Sequence, residues 1–344
     1  MRIESCGRPA PPATRSQPDN RRVFRDGTAA RATHHADYAA DPRRAHLGGQ
    51  GPAHRLRRLL AAGAALAALG ASAACGAPAG QSSPSGDQTG PIVFASFYPL
   101  RWLTQAVAGD AIEVASLTPK GAEPHDSELE IAQVSALGQA DLLVTLGGFQ
   151  APVDQAVEAS PPAAVLDVGP IVGIENEDPH FWLDPTRLAR AAEPIAEALT
   201  KADPAGQAGY AERAVAVAAQ LEELDQELAA GLAPFEDSYL VTTHAAFNYF
   251  GERYKLNQLA VAGIDPEAEP TPARLAQVKQ QLEGLPVKTI FFEEFASPKT
   301  AEALAADLGL GTGRLDPAET DNGGDYPTIM RENLAVLEEG LVRP

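Results

Sequence analysis

Residues 210–232, YAERAVAVAAQLEELDQELAAGL, are an uninterrupted run of strong helix formers, with no Gly or Pro before Gly231. Leu221, Leu224 and Leu228 recur on one stripe of that helix, as a helix with one buried face requires. The run sits between two regions that each alternate short β-rich apolar stretches with amphipathic helical ones. One long helix joining them acts as a stiff spine, so local rearrangement is expected rather than large domain closure.

The alternation defines the fold class. Before the spine, IVFASF (92–97), EVASL (113–117), DLLVTLG (141–147) and AAVLDVG (163–169) read as buried parallel strands, because near-continuous apolar runs suit strands covered on both faces. Helical spacing over 100–107, 129–140, 153–159 and 187–199 fills the intervals. After the spine, strands are expected at 239–244, 257–264, 287–295 and 313–316, with helices at 245–254, 271–282, 297–308 and 326–341. TPARL and SPKTAEAL carry a Thr or Ser cap followed by Pro, a helix-start signal. The expectation is an α/β protein of two β/α lobes with mainly parallel sheets, at 91–203 and 236–344, joined by a rigid linking helix at 204–235.

The front of the chain is different in kind. Residues 1–74 hold 12 Arg against 5 acids, whereas the remainder holds 15 basic and 41 acidic side chains, giving +7 and −26 respectively. An acidic body of this size argues against nucleic acid, whose phosphates need a basic footprint. Residues 1–53 lack hydrophobic periodicity and read as a disordered leader or a misassigned start. HRLRR followed by LLAAGAALAALGASAA, within 54–74, reads as a secretory signal peptide, with an apolar stretch too short for a stable membrane span. Cys75 comes next, followed by a flexible Gly/Ser/Pro tether to residue 90. With Cys6 removed alongside the leader, Cys75 has no disulfide partner. SAAC resembles a bacterial lipobox, with Ser72 where Leu is usual; lipidation of Cys75 and plain secretory cleavage both imply export.

Of 7 histidines, His34, His35, His46 and His54 precede the folded region, leaving His125, His180 and His244. Each follows or closes a strand-like segment, and in doubly wound sheets ligands collect beyond the carboxyl ends of strands. Taken singly, each has an ordinary reading as a surface or hydrogen-bonded core histidine. Taken together, three strand-to-helix junctions in a fold with no other histidine point to a shared metal site in the inter-lobe cleft. Pro179 fixes the backbone before His180, while Phe181 and Trp182 read first as core packing and only secondarily as a water-excluding wall.

GAEPHDSELEIAQVSALGQADLLVTLGG, DPHFWLDP and TTHAAFNYFGERY resemble the three signature segments of the zinc and manganese solute-binding proteins of bacterial ABC importers, solute-binding protein family 9. The resemblance runs from about residue 91 to the C-terminus, in order, and includes the spine. It implies metal ligands at His125 and His180 from the first lobe, His244 from the second, and an Asp after the last strand, which RLDP places at Asp316. Asp321, Asp325 and Glu294 are the alternatives for that fourth position. Glu123, Asp126, Asp178 and Asp184 are candidates to orient the imidazoles. The long His-rich loop of many zinc carriers is reduced here to Glu175, Glu177 and Asp178.

Three imidazoles and one carboxylate suit Zn2+ as transported ligand, with Mn2+, which prefers more oxygen, the lesser candidate. The resemblance implies a permease of a zinc importer as partner, admits a metal-loading chaperone, and leads us to expect a monomer tied to the membrane only through a lipid anchor. Three other readings stand beside zinc capture. A manganese carrier would share the fold. A zinc hydrolase would need an open coordination position, and the folded region contains no HExxH, G-x-S-x-G or Gly-rich phosphate loop. An adhesin-type lipoprotein would keep its function after loss of the histidines.

Overall fold

The computed structural model describes residues 90–293 and 298–344; the leader, the signal-like segment, Cys75 and Glu294 lie outside them. The chain opens with β1 (Val93–Ala95), α1 (Tyr98–Ala108), β2 (Val114–Ser116), α2 (Ile131–Leu137), β3 (Leu142–Thr145), α3 (Ala151–Ala159), β4 (Val165–Asp167) and α4 (Gly169–Val172). Helices α5 (Pro185–Ala189), α6 (Ala192–Ala202) and the spine α7 (Gln207–Leu232) follow. The second half holds β5 (Tyr239–Thr242), α8 (Asn248–Tyr254), β6 (Asn257–Ala260), α9 (Pro272–Leu282), β7 (Thr289–Phe292), α10 (Pro298–Leu308), β8 (Gly311–Arg314) and α11 (Tyr326–Gly340).

The strands form two four-stranded sheets ordered β2-β1-β3-β4 and β6-β5-β7-β8. Every strand pair in them is parallel, with Val93 opposite both Val114 and Leu142, and Thr242 opposite Phe291. The two sheets repeat one topology. In each, the first strand sends the chain to one side and then to the other, creating a switch point at the carboxyl ends of β1 and β3 and again at those of β5 and β7.

Helix α7 packs against α1, α5, α6 and α11. Its Leu221, Leu224 and Leu228 are fully buried in a continuous core that also takes in Val93, Trp182, Leu240 and Met330. Each such leucine contributes about 1.5–3 kcal/mol by leaving water, so the spine is held by packing as well as by helix propensity. Asp225 on α7 adds a polar anchor, accepting two hydrogen bonds from Arg253 at 2.7 and 2.5 Å and one from Tyr254 Oη at 3.1 Å, both on α8.

The elements depart from the periodicity in two informative places. The helix expected over 187–199 is two helices, α5 and α6, broken at Arg190 and Ala191. Pro194 has no N–H for the carbonyl four residues back, so the helix must restart just before it. The helix expected from residue 245 begins at Asn248 instead. Residues 244–247 thus stay outside regular helix, and His244 stands on the turn that leaves β5.

Candidate metal centre

His125 lies on the loop that leaves β2. Glu123 builds the local turn, its carboxylate accepting the backbone N–H groups of His125 at 2.9 Å and Asp126 at 3.1 Å. Gln150 braces the loop from the side by donating to Pro124 O at 3.1 Å. Phe149 meets the His125 ring edge-on, with centroids 4.7 Å apart.

His180 sits between Pro179 and the short turn of Phe181–Leu183, and is fully buried. Asp178 Oδ1 lies 2.7 Å from its Nδ1 and accepts its backbone N–H at 3.0 Å. Asn248 on α8 donates to the other carboxylate oxygen at 2.9 Å. With Nδ1 engaged, Nε2 is the nitrogen left to act as a ligand. It lies 3.3 Å from His125 Nε2. Burial holds the His180 ring below its ordinary pKa, outweighing the upward pull of Asp178 and Glu319; such a ring stays neutral, as a metal ligand must.

The third donor is Glu319, in the turn that follows β8. Its Oε2 stands 3.6 Å from His125 Nε2 and 3.8 Å from His180 Nε2. Those distances exceed a hydrogen bond, and both carboxylate oxygens are buried without a hydrogen-bond partner. Burial works to raise the Glu319 pKa, but the surrounding His125, His244 and His180 rings bring it below its ordinary value. Among the described residues, His125, His180 and Glu319 form the cluster whose donor atoms lie within 4.8 Å of one another.

Asp316, the expected fourth ligand, is engaged in the turn that precedes Glu319. Asp316 Oδ1 accepts the Ala318 N–H at 2.8 Å, and its own N–H and carbonyl pair with Asn333 on α11 at 2.8 and 2.6 Å. Asp316 therefore makes the turn, and Ala318, in the left-handed region at φ 54°, brings Glu319 to the imidazoles. The LDPAET segment carried the signal, since Asp-Pro marks an Asx turn whose carboxylate is used locally. Of the alternatives within the described residues, Asp321 pairs with Arg101 at 2.8 Å, and Asp325 accepts from Trp102 Nε1 at 2.8 Å.

His244 is fully buried at the end of β5, its ring centroid 5.4 Å from that of His180, and lies outside the three-donor cluster. Its Nδ1 is 3.1 Å from Glu293 Oε2, a residue that sequence reasoning missed, although the angle is not that of a hydrogen bond. Of the other expected supports, Asp126 is exposed. Asp184 caps α5, accepting Thr186 N–H at 2.9 Å and Thr186 Oγ1 at 2.7 Å.

Phe181 and Trp182 are core residues. Trp182 meets Phe97 at 4.9 Å between centroids and donates from Nε1 to Pro317 O at 2.8 Å, joining the His180 turn to the Glu319 turn. A cleft of about 570 Å³ opens beside His125, lined also by Phe149, Asp167, Glu177, Pro179 and Ile264. A larger groove of about 780 Å³ runs between α6 and α7, away from the histidines.

Tetrahedral zinc with nitrogens at about 2.0–2.1 Å places any two of them about 3.3–3.4 Å apart. The His125–His180 separation of 3.3 Å matches one edge of such a tetrahedron, and Glu319 stands near the third corner of the same face. A histidine–histidine hydrogen bond would account for the first distance alone. It would leave the buried Glu319 oxygens uncompensated, a cost a divalent cation removes.

The family model of the periplasmic zinc-uptake complex component A, ZnuA, matches residues 93–340. The zinc-binding lipoprotein AdcA of Streptococcus pneumoniae is 30% identical over 275 residues, covering 72% of this chain and 55% of that protein. The chain thus spans about half the length of the first curated relatives it matches. The high-affinity zinc uptake system protein ZnuA of Bacillus subtilis is 30% identical over 278 residues, covering 73% of this chain and 87% of that one. Among solved structures, the laminin-binding protein Lmb of Streptococcus agalactiae, titled a bifunctional protein with adhesin and metal-transporting activity, superposes with a TM-score of 0.67. It is 31% identical, covering 73% of this chain and 99% of that one.

Proposed function

Since this chain belongs to the family of periplasmic zinc-uptake components, we propose that it captures Zn2+ outside the cytoplasm and delivers it to the permease of an ABC-type zinc importer. The observation that carries this reading is the triangle of His125 Nε2, His180 Nε2 and Glu319 Oε2, with sides of 3.3, 3.6 and 3.8 Å, with the His244 ring centroid 5.4 Å from that of His180. Three neutral imidazoles and one carboxylate form a four-donor set that zinc accepts and that is too poor in oxygen for manganese to prefer. With His244 drawn in as the fourth donor, no position is left for an activated water, which would separate cargo binding from hydrolysis.

Export through the signal-like segment 54–74, and retention by a lipid on Cys75 with residues 75–90 as tether, complete the proposal. No helix among the described residues is long and apolar enough to cross a membrane. The lobes at 91–203 and 236–344 act as a monomeric carrier, with a loading chaperone as an optional partner.

Elemental analysis of protein purified without added metal, then titration against a chromophoric chelator, tests the reading. Zinc at one equivalent, lost in His180→Ala, is expected; manganese as the resident ion, or no metal dependence on His180, sinks it. Adhesion is a second reading, favoured by the likeness to the laminin-binding Lmb structure. Adhesion that survives removal of all three histidines would separate it from transport.

A further inference from the structure

Glu293 is the first residue beyond β7, and its carboxylate is buried. Strand β7 pairs with β5 through Thr242 and Phe291, and the ladder continues with the Thr243 N–H donating to Phe291 O at 2.9 Å. That register sets Glu293 beside two consecutive residues that leave β5. The Thr243 hydroxyl donates to Glu293 Oε2, and His244 Nδ1 lies 3.1 Å from the same oxygen. Both chain segments exit at the switch point of the second sheet, so the contact joins the residues just beyond two paired strand ends.

The first lobe pairs a carboxylate with a histidine Nδ1 in the same way, there as a formed hydrogen bond. Asp178 faces His180 Nδ1 at 2.7 Å and leaves Nε2 to the cluster. A carboxylate at Nδ1 selects the tautomer that carries its proton there, and so leaves Nε2 with a free lone pair for a metal. Both His244 ring nitrogens are buried and without a hydrogen-bond partner; Nδ1 has the Glu293 carboxylate 3.1 Å away, a short rotation from accepting its proton, which leaves Nε2 for an ion.

We propose that Glu293 is a positioning residue for His244, accepting the Nδ1 proton so that Nε2 is presented, unprotonated, as the second lobe's ligand. This rests on the metal-centre reading above but assigns a role to a residue that does not itself touch the ion. Thr243 is the clamp that holds the carboxylate oxygen in place. Glu293→Gln keeps the shape but lets the amide donate to Nδ1, which favours the opposite tautomer and the wrong nitrogen for binding.

The experiment is nitrogen NMR of the histidine rings in metal-free protein, at a pH where His244 is neutral, together with zinc competition titrations. Expected are a wild-type His244 protonated at Nδ1, a shift toward the Nε2-protonated form in Glu293→Gln, and zinc affinity lower by about 10- to 100-fold. Glu293→Asp should recover part of that loss. A wild-type ring protonated at Nε2, or a tautomer and affinity indifferent to Glu293→Gln, overturns the proposal. So does a cobalt-loaded variant whose spectrum changes while the tautomer does not, because that outcome makes Glu293 a direct ligand. The wild-type tautomer decides the matter even where Glu293→Gln fails to fold. Zinc binding indifferent to His125→Ala and His180→Ala would instead defeat the metal-centre reading, leaving the tautomer result to stand by itself.

Discussion

Glu319→Gln should have opposite effects on the metal-free and zinc-bound protein. In the absence of zinc, and where the imidazoles are neutral, the Glu319 carboxylate is a buried charge whose two oxygens accept no hydrogen bond. An unsatisfied buried polar group costs about 1–3 kcal/mol, and a charged one more. Gln fills nearly the same space without the charge, so in chelator, at a pH above the titration of the rings, the variant should gain about 1–3 kcal/mol of stability; at lower pH, where charged rings hold the Glu319 pKa down, the sign reverses. With zinc present, the charge is an asset. Structural zinc sites yield about 10–16 kcal/mol, roughly 3 kcal/mol for each of four donors, and losing one should weaken binding about 100-fold. Urea unfolding in chelator gives the first quantity and competition titration the second. A variant destabilised without zinc at the higher pH, or one that binds zinc as tightly as wild type, would refute the assignment of Glu319 as a ligand.

Other substitutions follow from the same geometry. His125→Ala and His180→Ala should each cost about 100-fold in zinc affinity, read by chelator competition. Asp316→Ala should change affinity little but lower stability by about 1 kcal/mol, because its carboxylate holds the Ala318 N–H at 2.8 Å; an affinity loss matching that of Glu319→Gln would make Asp316 a ligand. Burial would depress the His244 pKa, yet Glu293 and then Glu319 raise it above its ordinary value. Its stabilising charge in metal-free protein is then fully present below about pH 6.5 and lost as pH rises through the raised value. Zinc affinity should rise across that same window as the proton leaves, and a pH-independent affinity from about 6.5 upward would contradict it. Asp225→Ala should cost about 2 kcal/mol in urea unfolding, since Tyr254 Oη and the Arg253 fork lose their acceptor while Arg253 keeps partial access to water.

Much of the architecture was legible because its causes are local. Apolar runs such as DLLVTLG can be satisfied only inside a sheet, and the spine is helical from residue to residue. Histidines at strand ends were legible for the same reason, since each sits where its own segment turns. What was not legible depends on register. Asp316 and Glu319 are both acids just after β8, and only the left-handed Ala318 and the Asn333 clasp decide which one faces the imidazoles. Glu293 and Glu294 are adjacent acids in the sequence, and only the pairing of β7 with β5 brings Glu293 beside His244. The break at Arg190 did have a local cause in Pro194, outweighed in the periodic reading by apolar spacing on both sides of it.

The turn bearing Glu319 leaves the second sheet and is clasped by Asn333 of α11, yet most of its fastenings are to the first lobe. Tyr98 Oη donates to Gly324 O, Arg101 Nη2 to Asp321 and Trp102 Nε1 to Asp325, each at 2.8 Å, and Trp182 Nε1 donates to Pro317 O. These contacts tie the Glu319 turn to the lobe of His125 and His180, so we expect those three to move together and His244 to move with β5 and Glu293. If release begins by separating the lobes, His244 is the ligand withdrawn first, and the three-donor remnant sets how fast zinc then leaves. Loosening the fastening should accelerate that last step. Arg101 and Asp321 are partly exposed, with side chains 25% and 21% accessible, so their pair contributes at most about 1 kcal/mol; the Trp102 hydrogen bond adds about 1 kcal/mol. Arg101→Ala combined with Trp102→Phe should then raise the zinc dissociation rate about 5- to 30-fold, measured by stopped-flow mixing with excess chelator. An unchanged rate would mean that the Glu319 turn is held by its own Asp316 and Asn333 contacts, and that the division of ligands into three and one has no mechanical basis.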